Sequence, residues 1–110
     1  MRGEFLKMKG TDFKWIVENE SPYLDNKDVQ KFCKVKYASA YNYICEFKKF
    51  CQEKHIYPMD CYFEFFGKQQ VDKFAFCHYV QYRDLIVKYG EFEPYDEEKY
   101  KKKLMKFIYK

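Results

Sequence analysis

The chain has 110 residues and a mass of 13.7 kDa, the size of one ordinary domain spanning residues 1–110. A net charge of +4, with 47% hydrophobic and 35% charged residues, is a globular composition and excludes a disordered chain. No run approaches ~18 uninterrupted apolar residues, so no membrane span is expected. Met1 to Lys7 has no apolar run of the secretory kind, and Met8 is a second candidate start. The cysteines number five, an odd count that reads as reduced thiols in a cytoplasm.

The unusual feature is aromatic content. There are 12 Tyr, 12 Phe and 1 Trp against 4 Leu, 5 Ile and 6 Val, so the core must be built mainly from rings. Positive charge is concentrated in residues 26–54, where seven lysines face Asp28, Glu46 and Glu53. The flanking segments are nearly balanced. Clustered lysine is a footprint for nucleic acid or another polyanion, or else a solvated helix face.

In chain order, Asp12 to Asn19 reads as a short helix capped by Thr11 or Asp12, or as a strand. Ser21-Pro22 breaks the chain. Asp25 is a good N-cap for a helix from Asn26 to Cys33, with Asp28 at its third position and Val29, Phe32 and Cys33 as its apolar stripe. A short break, Lys34-Val35-Lys36, precedes the longest helical pattern, Tyr37 to about Lys54. There Ala40, Ile44, Phe47 and Cys51 share one face, and Ala38, Asn42, Cys45, Glu46, Lys49 and Glu53 lie opposite. Residues 56–67 fit either a buried short helix or a strand ending at Gly67. Residues 69–89 read as one helix with the stripe Val71, Phe74, His78, Tyr82, Leu85 and Tyr89, stopped by Gly90. A last helix runs from about Tyr95 to Tyr109, with acidic residues early and lysines late, an order that suits the helix dipole. The expected fold class is mainly α: a small helical domain with a central helix-turn-helix at about 24–54, a short β element near residues 56–67, and a helical extension at about 68–110.

Within the central segment each apolar residue falls where a helix-turn-helix needs one. Leu24 would anchor the first helix. Val29 and Phe32 would face inward, Val35 would plug the turn, and Ala40 and Ile44 would close the second helix onto the first. On these residues, and on Ala40-Tyr41-Asn42-Tyr43-Ile44 running into a Lys- and Glu-rich helix, the chain resembles the excisionase-like helix-turn-helix proteins of phages and integrative elements. The resemblance covers residues 23–66. It departs from the family pattern at Lys34, where the turn glycine would stand, and at Lys36, where a serine would cap the second helix. Each departure costs on the order of 1 kcal/mol.

The resemblance implies a double-stranded DNA-binding protein, a small regulator or architectural factor that reads the major groove with the helix from Tyr37. Asn42 is the best base reader, since Asn pairs bidentately with adenine. Tyr37, Ser39 and Tyr41 would touch bases or phosphates, and Lys34, Lys36, Lys48 and Lys49 would neutralise phosphates. Glu46 would lie on the same outer face and repel phosphate. The rival reading is a mobile-element protein that binds and inhibits a host protein through a Tyr-rich surface around residues 79–92. Residues 68–110 would complete the core or form a homodimer.

Other chemistry is weakly signalled. No C-x2–4-C pair exists, so no metal or other cofactor is expected. Cys77 and His78 are adjacent on a helix and point about 100° apart, and His78 falls on an apolar stripe as a core histidine would. Glycine-rich phosphate loops and hydrolase motifs are missing, so an enzyme is not expected. Rings between lysines suit single-strand stacking, but most of them fall on core stripes.

Overall fold

The computed structural model describes residues 13–89 and 94–109, the side chain of Tyr89 excepted. Five helices and three strands lie along these residues. They are α1 (Phe13–Glu18), β1 (Tyr23–Leu24), α2 (Asn26–Cys33), α3 (Tyr37–Gln52), β2 (Tyr62–Phe65), β3 (Lys68–Asp72), α4 (Lys73–Tyr89) and α5 (Glu97–Tyr109). A 3-10 turn, Met59–Cys61, leads into β2. The result is a mainly helical fold with a small antiparallel sheet of order β1-β3-β2. The ambiguity over the first segment resolves as helix for Phe13–Glu18. The proposed caps Thr11 and Asp12 lie outside the described residues, as do both candidate starts and Gly90.

The sheet corrects the reading of residues 69–89 as one helix, because 68–72 form β3. Val71 fits a helical stripe by spacing, but its partners are strand residues, one across the hairpin and one far away in sequence. It stands opposite Leu24 on one side and Tyr62 on the other. Asp72 then ends the strand, and its Oδ1 accepts from the backbone N–H of Phe74 (3.0 Å) and Ala75 (2.9 Å), so it starts α4 as an N-cap. The β element expected near 56–67 is present as β2.

β2 and β3 are joined by two residues, Phe66 and Gly67, with φ of 51° and 75°. Positive φ at both central positions is the signature of a type I′ hairpin turn, whose twist matches that of the strands. Glycine takes this conformation freely. Phenylalanine does so at a cost of roughly 1 kcal/mol.

The core is aromatic, as the composition requires. Phe47 of α3 meets Tyr57 at 5.1 Å, Phe76 at 5.5 Å and Tyr79 at 5.6 Å between ring centroids. These tilted and edge-to-face contacts are the favoured geometries for ring pairs. Phe13 packs edge-on against Phe32 and Phe107, tying α1 to α2 and α5. α4 is enclosed rather than amphipathic: every residue from Ala75 to Tyr82 is buried. His78 is a core histidine, with Nδ1 2.9 Å from the Tyr57 hydroxyl and the rings of Tyr82, Tyr95 and Tyr100 around it. Tyr79, expected to face outward in the partner reading, is fully buried. Among the described residues, no helix is long and apolar enough to cross a membrane.

Candidate nucleic-acid interface

Local chemistry places α3 before packing does. Asp25 caps α2 reciprocally: its Oδ1 accepts from the Asp28 N–H (3.0 Å), and Asp28 Oδ2 accepts from the Asp25 N–H (3.1 Å). α2 ends on Lys34 in the left-handed region, φ 56°, with its N–H donating to the Gln30 carbonyl. Glycine takes this conformation freely, and here lysine accepts the strain. Val35 packs half-buried against the core. Lys36 is extended at the start of α3 and provides no side-chain cap. Gln30 Nε2 donates to Asn26 Oδ1 (2.6 Å), and Asn26 Nδ2 donates to the Tyr37 carbonyl (3.5 Å), so α2 holds the first residue of α3.

The buried stripe of α3 is Ala40, Ile44, Phe47, Phe50 and Cys51. Burying that stripe turns Tyr37, Ala38, Ser39, Tyr41, Asn42 and Lys49 outward, and all six are exposed. Tyr37 is 63% exposed and Tyr41 45%. Their rings lie one turn apart, stacked at 6.4 Å with 12° between planes. The neighbouring Cys45 thiol raises the Tyr41 phenol above its ordinary value. Lys34 and Lys36 are exposed at the turn.

Two expected members of this face behave differently. Lys48 is half-buried, with its ammonium 5.5 Å from the centroid of the Tyr62 ring on β2. It braces the hairpin against α3 as well as carrying charge. Glu46 is turned toward α4. Its Oε1 accepts from Arg83 Nε (2.5 Å) and from the Tyr79 hydroxyl (2.6 Å). Burial, with Glu46 beside it, pushes the Tyr79 phenol well up, so Tyr79 is a fixed donor. The carboxylate that would have repelled phosphate is thus matched by an arginine, and the outward charge of α3 is left to lysine. Nothing in the local spacing of residues 37–54 signals Arg83, which arrives from α4.

Beside this face, α3 and the end of α4 enclose a groove of about 750 Å³ lined by Asn42, Cys45, Lys49, Ile56, Ile86 and Val87 among others. Burial raises the Cys33 and Cys51 thiols to about 12. Among the described residues, no cluster of three or more His, Cys, Asp or Glu is placed to hold a metal ion. No protein-family model, curated protein or solved structure matches the chain.

Proposed function

We propose that the protein binds double-stranded DNA as a small regulator or excisionase-like architectural factor of a phage or mobile element, in the cytoplasm of a bacterial host. α2, the turn 34–36 and α3 act as a helix-turn-helix, with α3 lying in the major groove. The observation that carries this reading is the outward face of α3, where Tyr37, Ser39, Tyr41 and Asn42 are exposed at the start of a helix held by a capped partner and Lys49 is exposed further along it. N-terminal residues of a recognition helix are the ones that reach base edges. Asn42 reads adenine bidentately, the two tyrosines and Ser39 contact the groove edge, and Lys34, Lys36 and Lys49 neutralise phosphates. Lys48 adds charge from its place over Tyr62. A homodimer through residues 68–110 would use the exposed side of α5, since most of α4 is enclosed.

The test is duplex binding as a function of salt. Affinity is expected to fall steeply between ~50 and ~200 mM salt. Replacing Lys34 and Lys36 together by Glu, both exposed, should lower the slope by about two or more and leave the circular dichroism spectrum unchanged. Absence of duplex binding at ~50 mM salt would refute the DNA reading and leave the host-protein reading, which has lost Tyr79 from its surface.

A further inference from the structure

The groove between α3 and the end of α4, about 750 Å³, falls within the range of roughly 300–1,000 Å³ usual for small-ligand sites. On the α3 side it is lined by Asn42, Cys45, Glu46, Lys49 and Phe50. Steps of three and one keep these on one side of the helix for more than two turns, roughly 12 Å. Ile86 and Val87 of α4 form the facing wall. The chain leaving α3 closes one end. His55 takes the left-handed conformation there, φ 55°, and the Ile56 N–H donates to the Phe50 carbonyl (2.8 Å). That conformation is unfavourable for a residue other than glycine, and here it lays Ile56 into the groove.

Two features of the lining identify an occupant. The first is its apolar part. In a chain whose core is built from rings, this floor gathers three branched aliphatics, Ile56, Ile86 and Val87. Val87 is 57% exposed, although the middle of its helix is enclosed, and Ile56 is half-buried. Phe50 is almost wholly buried and offers little ring face for stacking. The floor therefore suits an alkyl chain better than a flat aromatic body. Three aliphatic side chains are also too few for a protein interface, which buries on the order of 800 Å² per partner.

The second feature is charge. Glu46, the one carboxylate lining the groove among the described residues, is matched by Arg83 and the Tyr79 hydroxyl. Lys49 and Lys54 also line it, both exposed, and neither takes part in a salt bridge among the described residues. An aliphatic floor beside two uncommitted ammonium groups is complementary to an acid with an alkyl tail.

We propose that the α3–α4 groove is a binding site for a medium-chain fatty acid. The alkyl chain lies along Ile56, Ile86 and Val87, and the carboxylate meets Lys49 and Lys54. The site goes beyond the DNA reading, although it shares Asn42 and Lys49 with it.

Cys45 provides the readout, because it is half-buried in the lining while the other four cysteines are buried. N-ethylmaleimide should modify it first in the folded protein, and Cys45→Ser should remove that phase. Decanoate is the probe, kept below its micelle concentration. At about ten times its Kd it should slow the modification about tenfold. Replacing Lys49 and Lys54 together by Ala should leave the thermal midpoint unchanged, since both are exposed. It should weaken decanoate about tenfold or more, the worth of one charge-assisted contact, and leave decanol unaffected. Val87→Gln should weaken acid and alcohol alike. Absence of protection at ~1 mM decanoate overturns the site. Equal affinity for decanoate and decanol, or full decanoate affinity in the double variant, overturns the acid head group. Unchanged binding in Val87→Gln overturns the alkyl track. None of these measurements contains DNA, so they decide the groove whether or not a duplex binds α3.

Discussion

α3 and α4 are nearly equal in length, 16 and 17 residues, and both are rich in rings, yet they sit in the fold in opposite ways. α3 buries one stripe and turns tyrosine, asparagine and lysine outward. α4 is enclosed for two full turns, and its buried polar side chains find partners at all atoms but Gln81 Nε2 among the described residues. His78 pairs with the Tyr57 hydroxyl, Gln81 Oε1 accepts from Tyr100 (2.8 Å), and Tyr79 donates to Glu46. A buried tyrosine is apolar mass whose hydroxyl must be satisfied, whereas an exposed one offers a flat amphipathic surface. The same residue type therefore serves as core in one helix and stands at the surface of the other, and burial tells them apart.

The sharpest way to break this comparison is to truncate one ring in each helix. Phe76 is fully buried against Phe32, Phe47 and Tyr79. Phe76→Ala should destabilise the fold by about 3–5 kcal/mol, the usual cost of a large core cavity. Tyr37→Ala should change stability by no more than about 0.5 kcal/mol. Urea unfolding of both variants measures the difference. A Tyr37→Ala loss as large as that of Phe76→Ala would mean that the outer face of α3 is structural.

Much of α2 and α3 was legible because its signals are local. Asp25 and Asp28 mark the capped start, spacings of three and four mark the stripes, and the departures at Lys34 and Lys36 fall where the backbone turns left-handed and where the cap is missing. β1 and β3 were not legible. β1 has two residues, and the polar Gln69 and Gln70 carry no strand character of their own; they pair with Glu64 and Phe63 across the hairpin, while Val71 also meets Leu24 across the long gap to β1. Pairing across such sequence distance is carried by packing and leaves little local trace. The candidate interface divides in the same way. Tyr37, Ser39, Tyr41, Asn42 and Lys49 follow from the periodicity of α3. The restraint of Lys48 by Tyr62 and the pairing of Glu46 with Arg83 depend on other elements. Gly67, two residues past the apolar run that ends at Phe65, is a local mark of the hairpin turn, and it puts Phe66 at the tip.

The starts of the two helices extend the contrast at smaller cost. Asp72 caps α4 with two hydrogen bonds, and burial pushes its carboxyl above the ordinary range despite them. Asp72→Ala should cost about 1–2 kcal/mol by leaving both N–H groups without that acceptor. Asp72→Asn keeps an acceptor oxygen and removes the titration. Folded Asp72 holds its proton to higher pH than the unfolded chain does. The stability linked to that proton is therefore complete below the ordinary carboxylate range and is lost as pH rises through the raised value. The stability of Asp72→Asn relative to wild type should accordingly increase from acid to neutral pH in melts across that window. A flat difference would mean that the Asp72 carboxyl titrates alike in the folded and unfolded chain.

At α3 the corresponding position is Lys36, with no side-chain cap. A serine there would accept from the first turn of the helix, as it does in the family pattern that the segment resembles. Lys36→Ser should therefore stabilise the fold by about 0.5–1 kcal/mol. It should also remove one phosphate contact and lower the salt slope of duplex binding by about one. Opposite signs for stability and affinity are what distinguish a lysine placed for a polyanion from one on a merely solvated face. A variant that gains stability and keeps the full slope would place Lys36 off the DNA, and would leave Lys34 and Lys49 as the phosphate contacts at the exposed end and face of α3.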